Sequence, residues 1–161
     1  MLRAAALLAS LSLVMVLSAT ASKTTAATSV TLRVIATPVT RAFDDVAPKT
    51  HGTTGQWTKG DTFSGSSILR NAVQQLGLAK GARVGTSRFE IVALSSKRAM
   101  WDGVAMLPGG TVHAHGVVKF EGNPKVPIVG GTGPYKGATG VVEGQLLANG
   151  VHVDILRLHV P

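Results

Sequence analysis

Pro127-Ile128-Val129-Gly130-Gly131-Thr132-Gly133-Pro134-Tyr135-Lys136-Gly137-Ala138-Thr139-Gly140 has the look of a phosphate loop. A Walker-type loop ends in Gly-Lys-Ser/Thr and opens a helix, whose N-terminus and backbone N–H groups hold the phosphate. Here Lys136 stands between Tyr135 and Gly137. The dinucleotide pattern Gly-x-Gly-x-x-Gly also fails, because Gly137 comes one residue too late after Gly131 and Gly133. The chain continues Gly140-Val141-Val142-Glu143-Gly144-Gln145-Leu146-Leu147, which is poor helix material. The glycines therefore predict a sharp turn between two strands.

The same alternation extends in both directions. Short runs of β-branched and aromatic residues are separated by Gly, Pro, Asn and Asp. Strands are expected over 30–37, 61–69, 83–94, 99–107, 111–120, 126–129, 139–147 and 151–160. The stretch 38–59 reads as irregular, anchored by Phe43 and Trp57. Residues 70–81 read as an enlarged hairpin connection with room for one or two helical turns. Pro108-Gly109-Gly110 and Glu121-Gly122-Asn123-Pro124 are turns, and Ala148-Asn149-Gly150 is a hairpin signal. About eight strands at hairpin spacing with hardly any helix imply an all-β domain, a sandwich or an up-and-down barrel. A single eight-stranded antiparallel β-barrel is preferred. Closure removes exposed edges and leaves an interior able to hold a small ligand. The final strand, ending almost at the C-terminus, then needs the first strand as its partner.

Length and composition bound the rest. The chain has 161 residues, enough for one domain. Arg3, an apolar run over 4–17 and Ala19-Thr20-Ala21 predict a secretory leader over 1–21. A flexible linker is expected over 22–29 and the barrel domain over 30–161. The apolar run is short for a bilayer span, so the expectation is a secreted, extracellular protein with no stable membrane insertion after cleavage. There is no cysteine, which excludes disulfides, thiolate metal sites and cysteine nucleophiles. The formal charge is +8, and losing Arg3 leaves +7, but the basic residues are scattered rather than massed. With four Phe, two Trp and one Tyr, the chain lacks a row of base-stacking platforms, so no nucleic-acid partner is expected.

Several residues carry candidate chemistry. Tyr135, in the signature turn, is either a turn anchor or a hydrogen-bond donor to a ligand. Asp102 shares a strand face with Met100, Val104 and Met106. It is either a carboxyl among apolar groups, fit for general acid–base work, or a solvent-facing Asp. The catalytic candidates are thus Asp102 and Tyr135, and the ligand-binding candidates are Trp101, Met100, Met106, Arg88 and Glu90. His113 and His115 lie two apart on one strand face, as do His152 and Asp154. If both pairs faced one cavity they could hold a metal, with His113 and His115 as weak candidates; a solvated histidine pair is the plainer reading. No Gly-x-Ser-x-Gly or His-Glu-x-x-His appears, and no carboxylate pair suggests glycosidase work.

Four ordered segments resemble the allene oxide cyclase/dirigent-like β-barrel family. They are Gly60-Asp61-Thr62-Phe63, Arg83-Val84-Gly85-Thr86, Pro108-Gly109-Gly110-Thr111-Val112-His113-Ala114-His115-Gly116, and Val129 through Gly140. The resemblance covers 30–158. It implies a calycin-type barrel, commonly a homo-oligomer (trimer or dimer), that acts without a cofactor on a small hydrophobic or phenolic molecule in its lumen. It further implies that the protein steers cyclisation or stereoselective coupling of that guest. Where radical-coupling dirigents carry an acid after Gly-Thr-Gly and an Arg before the final glycine, this chain has Pro134 and Thr139. The alternative is accordingly a non-catalytic ligand-binding or envelope-associated barrel.

Overall fold

The computed structural model describes residues 27–46, 48–49, 55–146 and 152–161. The strands are β1 Thr28–Asp44, β2 Thr62–Asn71, β3 Arg83–Ser95, β4 Arg98–Leu107, β5 Gly110–Lys119, β6 Lys125–Gly131, β7 Thr139–Leu146 and β8 His152–Val160. Each pairs antiparallel with its sequence neighbours, and β8 returns to β1, so the eight strands close into the expected barrel. The glycine-rich stretch is the end of β6, a three-residue 3-10 turn at Gly133–Tyr135, and the start of β7. It is a strand-to-strand turn, with no helix after it to hold a phosphate. No helix among the described residues is long and apolar enough to cross a membrane.

Two elements differ from expectation. Strand β1 starts at Thr28, within the expected linker, and runs on through Pro38 to Asp44. Its ladder to β8 is recorded only as far as Ala36↔His152, so Pro38 sits beyond that pairing, where its missing N–H breaks no described β8 ladder bond. The register to β2 skips Val39, between Pro38↔Ser67 and Thr40↔Ser66, which is a β-bulge. The connection after β2 forms no helical turn. It folds back on itself at Leu76 and Gly77, both at positive φ, with a Gln75↔Leu78 bridge. Buried Asn71 holds it, its Nδ2 donating to the carbonyls of Gln75, Leu78 and Ala79 at 3.0, 3.1 and 3.3 Å. Gln75 Nε2 in turn donates to the Arg33 carbonyl of β1 at 2.7 Å. The expected leader, most of the linker and the Asn149-Gly150 turn lie outside the described residues.

The two ends of the barrel differ. The β2–β3, β4–β5 and β6–β7 connections gather at one end. There Leu32, Leu69, Val84, Leu107, Val112 and Leu158 pack with Tyr135 and Ala138 into the larger core cluster and close the barrel. Burial raises the pKa of the Tyr135 phenol above its ordinary value. A smaller cluster, built on Ile91, Ala99, Ala114, Val118 and Val126, lies toward the other end, beneath the β1–β2, β3–β4 and β5–β6 connections.

The closed end depends on the approach of two turns. Gly133 has φ +57°, and a Cβ there would meet the Gly109 carbonyl oxygen. Gly122, at φ +76°, has open space around it. Gly133→Ala should therefore lower unfolding free energy by about 2 kcal/mol or more, from backbone strain plus forced separation of the turns. Gly122→Ala should lose only about 1 kcal/mol. Urea unfolding of the two variants checks this, and equal losses would contradict the packing assigned to the 109–133 contact.

Candidate functional site

Strand alternation and register decide which side chains enter the barrel. Ile91 pairs with Phe63 on β2 and Trp101 on β4, and Phe89 pairs with Gly65 and Gly103. Phe63, Phe89, Ile91 and Trp101 all line one internal cavity of about 440 Å³ at the open end. The intervening residues point outward. Arg88, Glu90, Asp102 and Met106 are exposed, Met100 is half-buried, and none lines that cavity. Of the catalytic and ligand-binding candidates picked from the sequence, only Trp101 lines this cavity.

The others have clear places. Asp102 accepts from or faces His115 Nδ1 at 2.9 Å on the outer surface. His113 lies beside this pair, also exposed. Among the described residues no group of three or more His, Asp or Glu is placed to hold a metal ion. Tyr135 packs in the closed end, away from the cavity.

The lumen wall is aromatic. Trp101 stacks on Phe89 (5.1 Å between centroids, 21°), which meets Phe63 at 5.5 Å. Phe63 meets Phe43 at 6.5 Å, and Phe43 meets Trp57 edge-on at 5.1 Å. Trp57 stacks on Phe120 at 4.6 Å and 19°. Every Phe and Trp of the sequence belongs to this one chain of rings; only Tyr135 is outside it. Gly65 makes the arrangement possible, since a Cβ there would lie 3.0 Å from Phe89 Cζ and 2.8 Å from the Thr40 carbonyl. Trp57 is carried by the long β1–β2 connection, which buried Asp61 ties down. Its carboxylate accepts from Val46 N (3.0 Å), Thr58 N (2.7 Å) and Thr58 Oγ1 (3.0 Å).

Below the rings lies a carboxyl. Register places His152, Asp154, Leu156 and Leu158 on the inner face of β8, opposite Ala36, Val34, Leu32 and Val30 of β1. Among the described residues Asp154 is the one acidic residue lining the cavity, and it also borders a recess of about 70 Å³ toward the closed end. Its side chain keeps 26% exposure, opening to the cavity. Burial raises its pKa above the ordinary 3.8, and His152, whose Nδ1 is 3.9 Å away, pulls weakly the other way. On the outside, Glu143 receives hydrogen bonds from Lys125 and Arg157, which lower its pKa and link β6, β7 and β8.

Solved structures share this architecture. A pyocyanin demethylase is 19% identical and superposes with a TM-score of 0.66, covering 80% of this chain and 99% of its own. The pterocarpan synthase dirigent protein GePTS1 is 16% identical, with a TM-score of 0.61 over 92% of this chain and 98% of its own. The fold is that of the dirigent-like barrels. A second pterocarpan synthase dirigent protein, PsPTS1, is 16% identical with a TM-score of 0.57, covering 83% and 94%. No family model and no curated protein matches the sequence, so the likeness is carried by structure alone.

Within this dirigent-like barrel, Pro134 and Thr139 are exposed residues of the closed end and do not line the cavity. Their lack of charge therefore leaves the lumen unaffected. The lumen carboxyl was visible in the sequence only as one of a pair, His152 and Asp154, on a common face. The signal that it faces inward was Leu156 and Leu158 further along the same row.

The raised pKa of Asp154 has a defined thermal consequence. The folded barrel holds its proton more tightly than the unfolded chain does. Its stabilising contribution is full below the ordinary carboxylate pKa and is lost as pH rises through the folded value. Asp154→Asn removes this term. The variant should melt higher than wild type at neutral pH, and the gap should close on acidification toward pH ~4. A melting series from pH 3.5 to 8 reads it; a gap that widens on acidification contradicts the sign.

Proposed function

We propose that the barrel takes a small planar aromatic or phenolic molecule into its lumen and steers its cyclisation or stereoselective coupling. The observation carrying this reading is a ring-lined cavity of about 440 Å³ with a single recessed carboxyl, Asp154. A volume of this order suits a small guest, and pockets of mostly apolar lining with few polar groups are the usual ligand sites. Stacked rings fix the plane of a flat guest, and enclosure restricts its conformers before bond formation. Burial raises the pKa of Asp154, and in its protonated form this carboxyl can donate to a carbonyl oxygen of the guest as the ring bond forms. For cyclisation an equivalent proton returns from the guest, so the net change is an isomerisation; for coupling, the units joined are radicals that a separate one-electron oxidant has already generated, and the barrel sets only the face on which they meet. The names of the structural neighbours, a pyocyanin demethylase and two pterocarpan synthase dirigent proteins, refer to compact polycyclic compounds and support this choice of guest.

Pyocyanin and a pterocarpan serve as first probes, with quenching of Trp57 and Trp101 fluorescence as the binding signal. Trp101→Ala should weaken binding by roughly tenfold, as loss of a buried aromatic anchor does. Asp154→Asn should leave binding within about threefold and lower turnover of a competent substrate by roughly 10²-fold or more. Binding without turnover in any tested series would favour the non-catalytic barrel. Absence of binding by any planar aromatic would overturn the lumen reading.

We further propose that the barrel works outside the cytoplasm, from the leader over 1–21. Material recovered from the culture medium should begin near Ser22 on N-terminal sequencing. Recovery of the intact chain from the cell interior would contradict this.

A further inference from the structure

Strand β1 delivers a cation to the lumen by a local irregularity. In an unbroken strand, Pro38 facing inward would put Thr40 inward and Arg41 outward. The bulge at Val39 resets the alternation: Pro38 pairs with Ser67, Thr40 with Ser66, and Arg41 with Gly65. Ser67 and Gly65 belong to the inward row of β2 that also carries Phe63. Arg41 therefore turns inward at the mouth and lines the aromatic cavity, while Val39 is left 60% exposed. Gly65, opposite it, offers no side chain to compete for the space.

Among the described residues no hydrogen bond or ion pair joins the Arg41 guanidinium to another group. The charged and titratable lining consists of Arg41, Lys119, His152 and Asp154. Lys119 alternates with inward-facing Val118 and reaches only the rim. Asp154 faces His152 at 3.9 Å and keeps its proton more readily than an ordinary carboxyl. Arg41 also borders an outer groove that carries Glu90 and Asp102, but among the described residues neither carboxylate is within ion-pair distance of it, and inside the aromatic cavity the carboxyl of Asp154 is the one acidic group of the described lining.

We propose that the guest of this lumen is a planar aromatic carboxylate, its ring plane held by the Trp and Phe wall and its carboxylate by Arg41 at the mouth. The inference rests on the lumen reading above and names the substrate class for that site. The chemistry fits arginine in particular. Its planar fork offers two parallel N–H donors to a carboxylate, a geometry that an ammonium does not match. A carboxylate anchored at the rim also directs the unsubstituted end of the ring system inward, where Asp154 lines the wall.

The test compares naphthalene-2-carboxylate with its neutral isostere naphthalene-2-carboxamide by calorimetric titration. Wild type should bind the carboxylate roughly three- to tenfold more tightly, the range for a partly exposed charge pair, with the advantage shrinking at high salt. Arg41→Gln should bring the two affinities together, and Arg41→Lys should retain part of the preference. Equal affinities in wild type, or a preference unchanged in Arg41→Gln, would overturn the assignment of Arg41 while leaving the lumen reading intact. Failure of both probes to bind would remove the lumen reading and this inference together. Circular dichroism of Arg41→Gln confirms that the barrel is formed, since Arg41 supports no other residue.

Discussion

The ladder between β1 and β8 is the constraint on which the rest of the structure depends. It runs from Thr28↔Val160 to Ala36↔His152 and joins the first strand to the last. Without it both strands would be sheet edges, with open N–H and C=O groups on each. With it, Leu32 meets Leu156 and Val34 meets Asp154 across the seam, and the inner faces of all eight strands surround one space. A chain without cysteine has no covalent means of holding that space. Backbone pairing and the packed closed end hold it instead.

The two ends divide the work. At one, Leu69, Leu158, Val112 and Tyr135 fill the interior and leave little room, which is where most of the apolar burial resides. At the other, the rings from Phe63 to Trp101 stand against the wall rather than across the centre, and a cavity remains. The transition between them is marked by Asp154, too deep for free hydration but still open to the cavity. Among the described residues it is the one carboxyl of the cavity lining. The same division explains why the long β1–β2 connection is pinned by Asp61: it supplies Trp57 to the mouth.

Much of the strand order was legible from turn residues. Pro108-Gly109-Gly110, the 121–124 turn and the glycine-rich stretch before Thr139 separate strands that the structure places within a few residues of their expected bounds. Which face of each strand points inward was far less legible. On β4 both rows are apolar, Ala99, Trp101, Gly103 and Ala105 against Met100, Val104 and Met106, with Asp102 in the second. Period-two reasoning favours the row with larger aliphatic side chains, yet the lumen takes the row with small ones. The reason is volume: alanine and glycine leave room for the Trp101 ring and the cavity, and the methionines are accommodated only outside. Arg88 and Glu90 against Phe89 and Ile91 on β3 follow the same division.

The sequence by itself determined the class of structure. Alternation, turn chemistry and the need to cover both terminal strands leave an antiparallel closed sheet as the consistent answer, because these are local properties of the backbone and of neighbouring side chains. Only the tertiary structure decided the site. A single extra residue at Val39 reverses the facing of Arg41, and the inward setting of His152 and Asp154 depends on pairing with β1 more than a hundred residues away. Facing in a barrel is fixed by long-range register, and a shift of one residue exchanges lumen for solvent.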